Sequence, residues 1–355
     1  MKRSITLNMI MLCLRPLLTI SVVLFAFIKT KTQPENPITP QKFSPTTRYK
    51  LNKVEIKPLS LVSLVKIKNS DITKAIEESL NLIGYKIPEN INNIVIKPNL
   101  CYYWDYSTGQ TTDPKFIAAL IDLIRNKTSS DTNISIVESD ASAMKCKYAF
   151  KILGYEKLAK DYKVKLVNLT ENQSQIVSVT AGKHSFKIMV PKTIQEADLR
   201  INVPKIKYST EKVKITCALK NIFGCNPYPK KYRYHPVIEE AIVAINKAMR
   251  FHLHIIDANI VSGVQPKRLG LVMASQDPVA LDTAASKIAS VNPKTIKYLQ
   301  LAQKEGLGKM AFTTKREPLE YFKAQYPKKS LQNILIGKAY AIAIQTGLNK
   351  KLGIE

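Results

Sequence analysis

Apolar and polar positions follow one rhythm along this chain: a short apolar run ends and a polar cluster follows at once. Ile94-Val95-Ile96 leads into Lys97-Pro98-Asn99, and Ile134-Ser135-Ile136-Val137 into Glu138-Ser139-Asp140. Leu199 to Val203 leads into Pro204-Lys205-Ile206-Lys207, and Leu253 to Ile256 into Asp257-Ala258-Asn259. Leu269 to Met273 leads into Ala274-Ser275-Gln276-Asp277. Runs of this length, rich in β-branched residues, read as strands. Further strands are expected within 54–67 and over 164–169 and 185–190.

Between them the spacing changes to that of helices. Ile72, Ile76 and Leu80 recur every four residues behind Asp71, a suitable cap. Asp113-Pro114 opens a helix carrying Phe116, Ile117, Leu120, Ile121, Leu123 and Ile124. A helix through 148–153 stops at Gly154, and a short one over 213–223 stops at Gly224. The strongest stripe runs from Pro236 to Met249, and helices follow over 278–289 and 293–305. Residues 331–346 fit a strand or a buried helix equally. Strands alternating with helices predict an α/β fold, a mostly parallel sheet with helices on both faces. In such sheets ligands bind beyond the carboxyl ends of the strands, so the five junctions are expected to meet at one crevice.

The first 30 residues stand apart. Lys2 and Arg3 precede an apolar stretch over residues 5–28, interrupted by Arg15-Pro16. It is long enough to span a bilayer, and no small-residue cleavage site follows it. We expect a membrane anchor, with a cleaved signal and secretion as the second choice. Lysines flank both ends, so the side of the membrane is not fixed. The expected organisation is an anchor over 1–30, a Pro-rich linker over 31–50, an α/β domain over 51–310 and a C-terminal extension over 311–355.

Composition adds little to this picture. The chain of 355 residues has a net charge of +27, which favours anionic partners. The lysines are scattered in an Asn- and Ile-rich sequence, and no arginine-rich arm accompanies them, so nucleic acid is not the expected partner. The sequons at Asn126, Asn133, Asn168 and Asn172 are what such a composition gives by chance. The five cysteines form no C-x-x-C pair; the spacing of Cys217 and Cys225 leaves a redox pair open.

The junction residues carry the candidate chemistry. Lys97 and Asn99 can hold and orient a carboxylate or phosphate, or be a surface lysine and a turn asparagine. Asp113, Asp277 and Asn292 each precede a proline and read as helix caps. Glu138 and Asp140 end a strand that is otherwise buried. They suit general acid–base work or, with Asp257, a divalent metal, against a bland reading as a cap and a solvated acid. Asp282 is a further acid expected near that crevice. Lys205, Lys207, Lys220 and Asn221 suit an anionic ligand. His235, before the best helix, suits a proton donor or metal ligand, or simply marks the helix entry. His252 and His254 read as structural.

Several of these segments together resemble the domain of unknown function 362 family. They are Lys97-Pro98-Asn99-Leu100, Thr111-Thr112-Asp113-Pro114, Pro204-Lys205-Ile206-Lys207, Lys220 to Gly224 with His235 downstream, Ile255 to Ala258, and Asp277 to Asp282. The resemblance covers roughly residues 90–305 and implies an α/β domain with an enzymatic or ligand-binding role. Two departures bear on the ligand. Tyr208-Ser209 stands where relatives often carry a histidine, and the Gly-Pro-rich loop is reduced to Gly263-Val264-Gln265-Pro266. No C-x-x-C-x-x-C run is present, so no iron–sulfur cluster is expected. The leading expectation is a membrane-tethered protein, an enzyme or binder, acting on a small anionic metabolite. The rival is a non-enzymatic basic protein that grips nucleic acid or anionic lipid.

Overall fold

The computed structural model describes residues 59–129 and 131–329. The predicted anchor, the linker and residues 331–346 lie outside them. Among the described residues no helix is long and apolar enough to cross a membrane.

The main sheet is built from β1 (Ser60–Lys66), β2 (Asn93–Pro98), β3 (Asn133–Glu138), β4 (Lys165–Asn168), β7 (Leu199–Val203), β10 (Leu253–Val261), β11 (Lys267–Ser275) and β12 (Phe312–Arg316). Their order is β12-β1-β11-β10-β7-β2-β3-β4. Neighbours from β10 to β4 are all parallel, as are β1 and β12. β11 runs antiparallel to both β10 and β1. Two small ribbons complete the strands: β5 (Ser174–Ala181) with β6 (His184–Pro191), and β8 (Lys207–Tyr208) with β9 (Ile215–Thr216).

Alternation along each strand sends side chains to opposite faces, and each face has its own core. On one side Ile94, Ile96, Ile136, Ile201 and Ile255 pack with Phe116, Ile117, Leu120 and Ile124 of the Pro114–Arg125 helix and with Tyr155. On the other, Val95, Val137, Ile256 and Met273 pack with Leu219, Ile222, Ala241, Ile242, Leu281 and Ala285 of three further helices. The α/β sheet, mostly parallel and covered by helices on both faces, is as expected.

Cap chemistry sets the helix starts. Asp71 accepts from the Lys74 N–H at 2.9 Å, and Asp113 from Lys115 at 2.8 Å ahead of Pro114. Asp277 accepts from Val279 and Ala280 at 2.8 and 3.0 Å. Asn292 accepts from Lys294 at 3.0 Å. These satisfy N–H groups that the helix itself leaves open.

Three differences from the sequence reading concern position. Only four of the five junctions share an edge. Because β11 is antiparallel, its end at Ser275 lies beside His254 near the start of β10, at the opposite edge. Asp277 there binds Ser60 and the Lys309 N–H instead of joining the crevice. Asp257 sits within β10, not at its end, since that strand continues to Val261. The region after residue 310 is partly sheet: β12 pairs with β1, and the Leu319–Gln325 helix packs through Phe322 into the core. Cys217 and Cys225 are buried free thiols, so the pair left open by their spacing is not formed.

Candidate functional site

The carboxyl ends of β7, β2 and β3 lie side by side, next to the middle of β10 at Asp257. The short Ala218–Ile222 helix lies across them, and Asp282 holds it in place. Its carboxylate accepts from the Ala218 and Leu219 N–H groups at 2.6 and 3.2 Å. Burial pushes the Asp282 carboxyl up to about 7. This acid therefore positions the Lys220–Asn221 segment and does not face the crevice as a proton carrier.

Two lysines on the crevice floor are paired. Lys97 Nζ meets Glu138 Oε2 at 2.6 Å, with side chains 1% and 4% exposed. The same ammonium donates to the Pro98 carbonyl at 2.7 Å, and the other Glu138 oxygen accepts from the Ser139 N–H at 2.9 Å. Gly224 passes directly above this pair: a Cβ there would lie 3.3 Å from Lys97 Cε and Nζ. Lys205 Nζ meets Asp257 Oδ2 at 3.0 Å, again fully buried. Asp257 also accepts from the Asp113 and Asn259 N–H groups. Burial lowers the Lys205 amine, with Asp257 opposing it.

Lys207, Lys231 and Lys220 have no carboxylate partner among the described residues. Lys207 donates to the Gln110 carbonyl at 2.9 Å. Lys231 donates to Ser139 Oγ, the Asp140 carbonyl and the Gly224 carbonyl at 2.5, 2.9 and 3.3 Å. Burial lowers Lys231 to about 8, against the pull of Glu138. Lys220 lies over the Phe223 ring at 4.3 Å, a cation–π contact. Burial, then the charges of Lys231 and Lys207, lowers its amine to about 7.

A row of amides links the crevice to the core. Asn99 Nδ2 donates to Asn221 Oδ1 at 2.8 Å, Asn221 Nδ2 to Asn202 Oδ1 at 2.7 Å, and Asn202 Nδ2 to His254 Nδ1 at 3.0 Å. Buried polar groups are nearly always partnered. Around this site Asn99 Oδ1, Thr111 Oγ1 and Asn226 Nδ2 are buried without a hydrogen bond.

The sequence-predicted residues thus separate. Lys97, Asn99, Lys205, Lys207, Lys220, Asn221, Glu138 and Asp257 gather at the shared strand ends. Asp140 turns away: its carboxylate accepts from the Cys146 N–H at 2.8 Å and from Lys145 at 3.1 Å, holding the β3 loop. The proposed metal set of Glu138, Asp140 and Asp257 is spread over three different lysine partners. Among the described residues no group of three or more His, Cys, Asp or Glu side chains is placed to hold a metal ion. His235 stacks edge-on against Tyr232 at 4.9 Å, and burial with Lys220 and Lys212 nearby lowers it to about 4. It is neutral at physiological pH, which suits an acceptor better than an acid. His254 is buried, as its structural reading implied, and burial lowers it to about 3.

Lys231, Ser139, Asn202 and Asn226 escaped the sequence reading. Asn202 had a signal, since it is polar within an apolar run. Lys231 had none, because beside Lys230 it looks like any solvated lysine pair.

A family model described as "Domain of unknown function (DUF362)" matches residues 94–287. The thylakoid-associated protein sll1697 of Synechocystis is 31% identical over 137 residues, covering 35% of this chain and 42% of the relative. The lactate racemase apoprotein of Thermoanaerobacterium thermosaccharolyticum superposes with a TM-score of 0.43 at 18% identity, over 68% of this chain and 60% of that one. The chain therefore spans less than two thirds of the length of either.

Proposed function

This chain belongs to the DUF362 family, and from that membership and its crevice we propose that it is an enzyme or ligand-binding protein for a small anionic metabolite. Residues 5–28 would tether it to a membrane. The site is the edge formed by β10, β7, β2 and β3. Lys207 and Lys231 would hold the anion with Lys220 beside them, and Lys97–Glu138 and Lys205–Asp257 form the rigid floor beneath.

One observation carries this reading. Lys207, Lys220 and Lys231 make no ion pair among the described residues, yet they sit together on a floor whose acids are already engaged. Lys207 is buried and Lys220 and Lys231 are half-buried; cations withdrawn from water to that extent are costly unless paired, and nearby cations add to that cost. An anionic ligand would neutralise the excess.

Thermal unfolding of the purified chain with oxalate, phosphate and pyruvate tests it. An anion at about 100 times its dissociation constant stabilises by about 2.7 kcal/mol. Lys207→Met and Lys231→Met should each shrink that shift. No shift with any of the three anions would overturn the reading. Steep salt-dependent binding to duplex DNA or anionic vesicles, unaffected by these substitutions, would favour the rival instead.

A further inference from the structure

Resting on the anion-site reading, we infer that Lys220 is the reactive amine of the crevice, taking the carbonyl of a small 2-oxo acid as an imine while Lys207 and Lys231 hold the acid's carboxylate.

The argument starts from how the lysines are tied. Lys97 is bound to Glu138, Lys205 to Asp257, Lys207 to a carbonyl and Lys231 to three oxygens. Among the described residues Lys220 alone in this group has neither hydrogen bond nor counter-ion, only the face of Phe223. A lysine meant to anchor an anion by charge is served by staying ionised. One half-buried among other cations, with nothing among the described residues accepting its protons, is instead inclined to give one up, a standard way of making a nucleophilic amine.

The surroundings suit the reaction as well. The backbone around Lys220 is fixed by Asp282 on one side and by the Asn221 amide row on the other. Unpartnered groups on the neighbouring segments, Asn99 Oδ1, Thr111 Oγ1 and Asn226 Nδ2, can accept from or donate to an oxygen formed at the carbonyl carbon. In the step itself the Lys220 lone pair attacks that carbon and the C–O π pair moves to oxygen. Both amine protons then leave with that oxygen as one water, and a C=N bond replaces C=O. No oxidant or further reactant is needed.

Glyoxylate with cyanoborohydride is the direct probe, followed by peptide mapping of the full chain. Near pH 7 about half of an amine shifted to about 7 is free base, against roughly 0.04% of an ordinary lysine. Even after its lower intrinsic nucleophilicity, carboxymethylation of Lys220 should exceed that of other lysines by about tenfold or more. Excess oxalate, which binds as an anion but forms no imine, should protect it. Lys220→Arg should abolish the adduct, while Lys207→Met should keep the amine but raise the glyoxylate concentration required. If oxalate stabilises the protein and labelling is nonetheless uniform over the lysines, the imine role falls and the anion site stands. If oxalate neither stabilises nor protects, both fall.

Discussion

Removing one partner of the Lys97–Glu138 pair should cost far more than removing both. At 2.6 Å and an effective dielectric near 20, the gross attraction is about 6 kcal/mol. Withdrawing two ions from water costs several kcal/mol each, so the pair as a whole is close to balanced. Glu138→Leu takes away the counter-charge and leaves Lys97 with the Pro98 carbonyl at 2.7 Å. Lys97→Met leaves Glu138 with the Ser139 N–H at 2.9 Å. Each single change should destabilise by about 3–5 kcal/mol, and Lys97→Met with Glu138→Leu should return to within about 2 kcal/mol of the native protein. The coupling energy should then exceed about 3 kcal/mol. Urea unfolding followed by far-ultraviolet circular dichroism would measure it. Fluorescence is the poorer probe, because the lone tryptophan, Trp104, is 52% exposed. Singles that each lose less than about 1 kcal/mol, or a cycle that is merely additive, would refute the claim that this buried pair holds the crevice floor.

Asp257→Asn should act on Lys205 in the same manner, with a loss of about 3 kcal/mol and a lower urea midpoint. Asp282 supplies a pH signature. Its carboxyl rises from 3.8 to about 7 on folding, so the stability it contributes is fully present below about pH 4 and is lost as pH rises through 7. That amounts to about 4 kcal/mol. Asp282→Asn should flatten this part of the stability–pH curve while costing about 1–3 kcal/mol for the cap acceptor lost; an unchanged slope would show that Asp282 is not the group responsible. Gly109 has φ +71°, and a Cβ there would come within 2.3 Å of the Val261 carbonyl carbon. Gly109→Ala should therefore lower stability by about 3 kcal/mol or more, from overpacking and left-handed strain together, which a thermal melt would report.

The sheet's parallel half could be read because its strands are apolar on both faces and separated by helical spacing. The caps at Asp71, Asp113, Asp277 and Asn292 could be read because a cap is a local event. The direction of β11 was also encoded, although the run Leu269–Met273 alone does not reveal it. Only residues 262–266 separate β10 from β11, too few for a crossover and enough for a hairpin. The ribbon of β5 and β6 was half read. Its first strand, Ser174–Ala181, is mostly polar at one end and is betrayed chiefly by the Gly182-Lys183 turn. Among the crevice lysines Lys231 was the hardest. Nothing in a lysine's neighbours along the chain distinguishes Lys231, half-buried against Ser139, from Lys230, which is exposed. The three acids shared strand ends on paper, but a strand end does not fix where its side chain turns. Asp140 went to the Cys146 backbone, and the other two went to lysines.

The amide row has a sense as well as a path. Each asparagine donates inward to the next, from Asn99 through Asn221 and Asn202 to His254 Nδ1. The three amide dipoles therefore add head to tail and polarise one another. The terminal imidazole must carry its proton on Nε2, and the opposite terminus, Asn99 Oδ1, is left as the electron-rich pole. A molecule settling against that pole would be screened by proton inventory as much as by charge: a hydroxyl or a protonated acid would be welcome there, and a bare carboxylate oxygen would be turned away. Among otherwise equal anions, the row would sort for the one that arrives still holding a hydrogen.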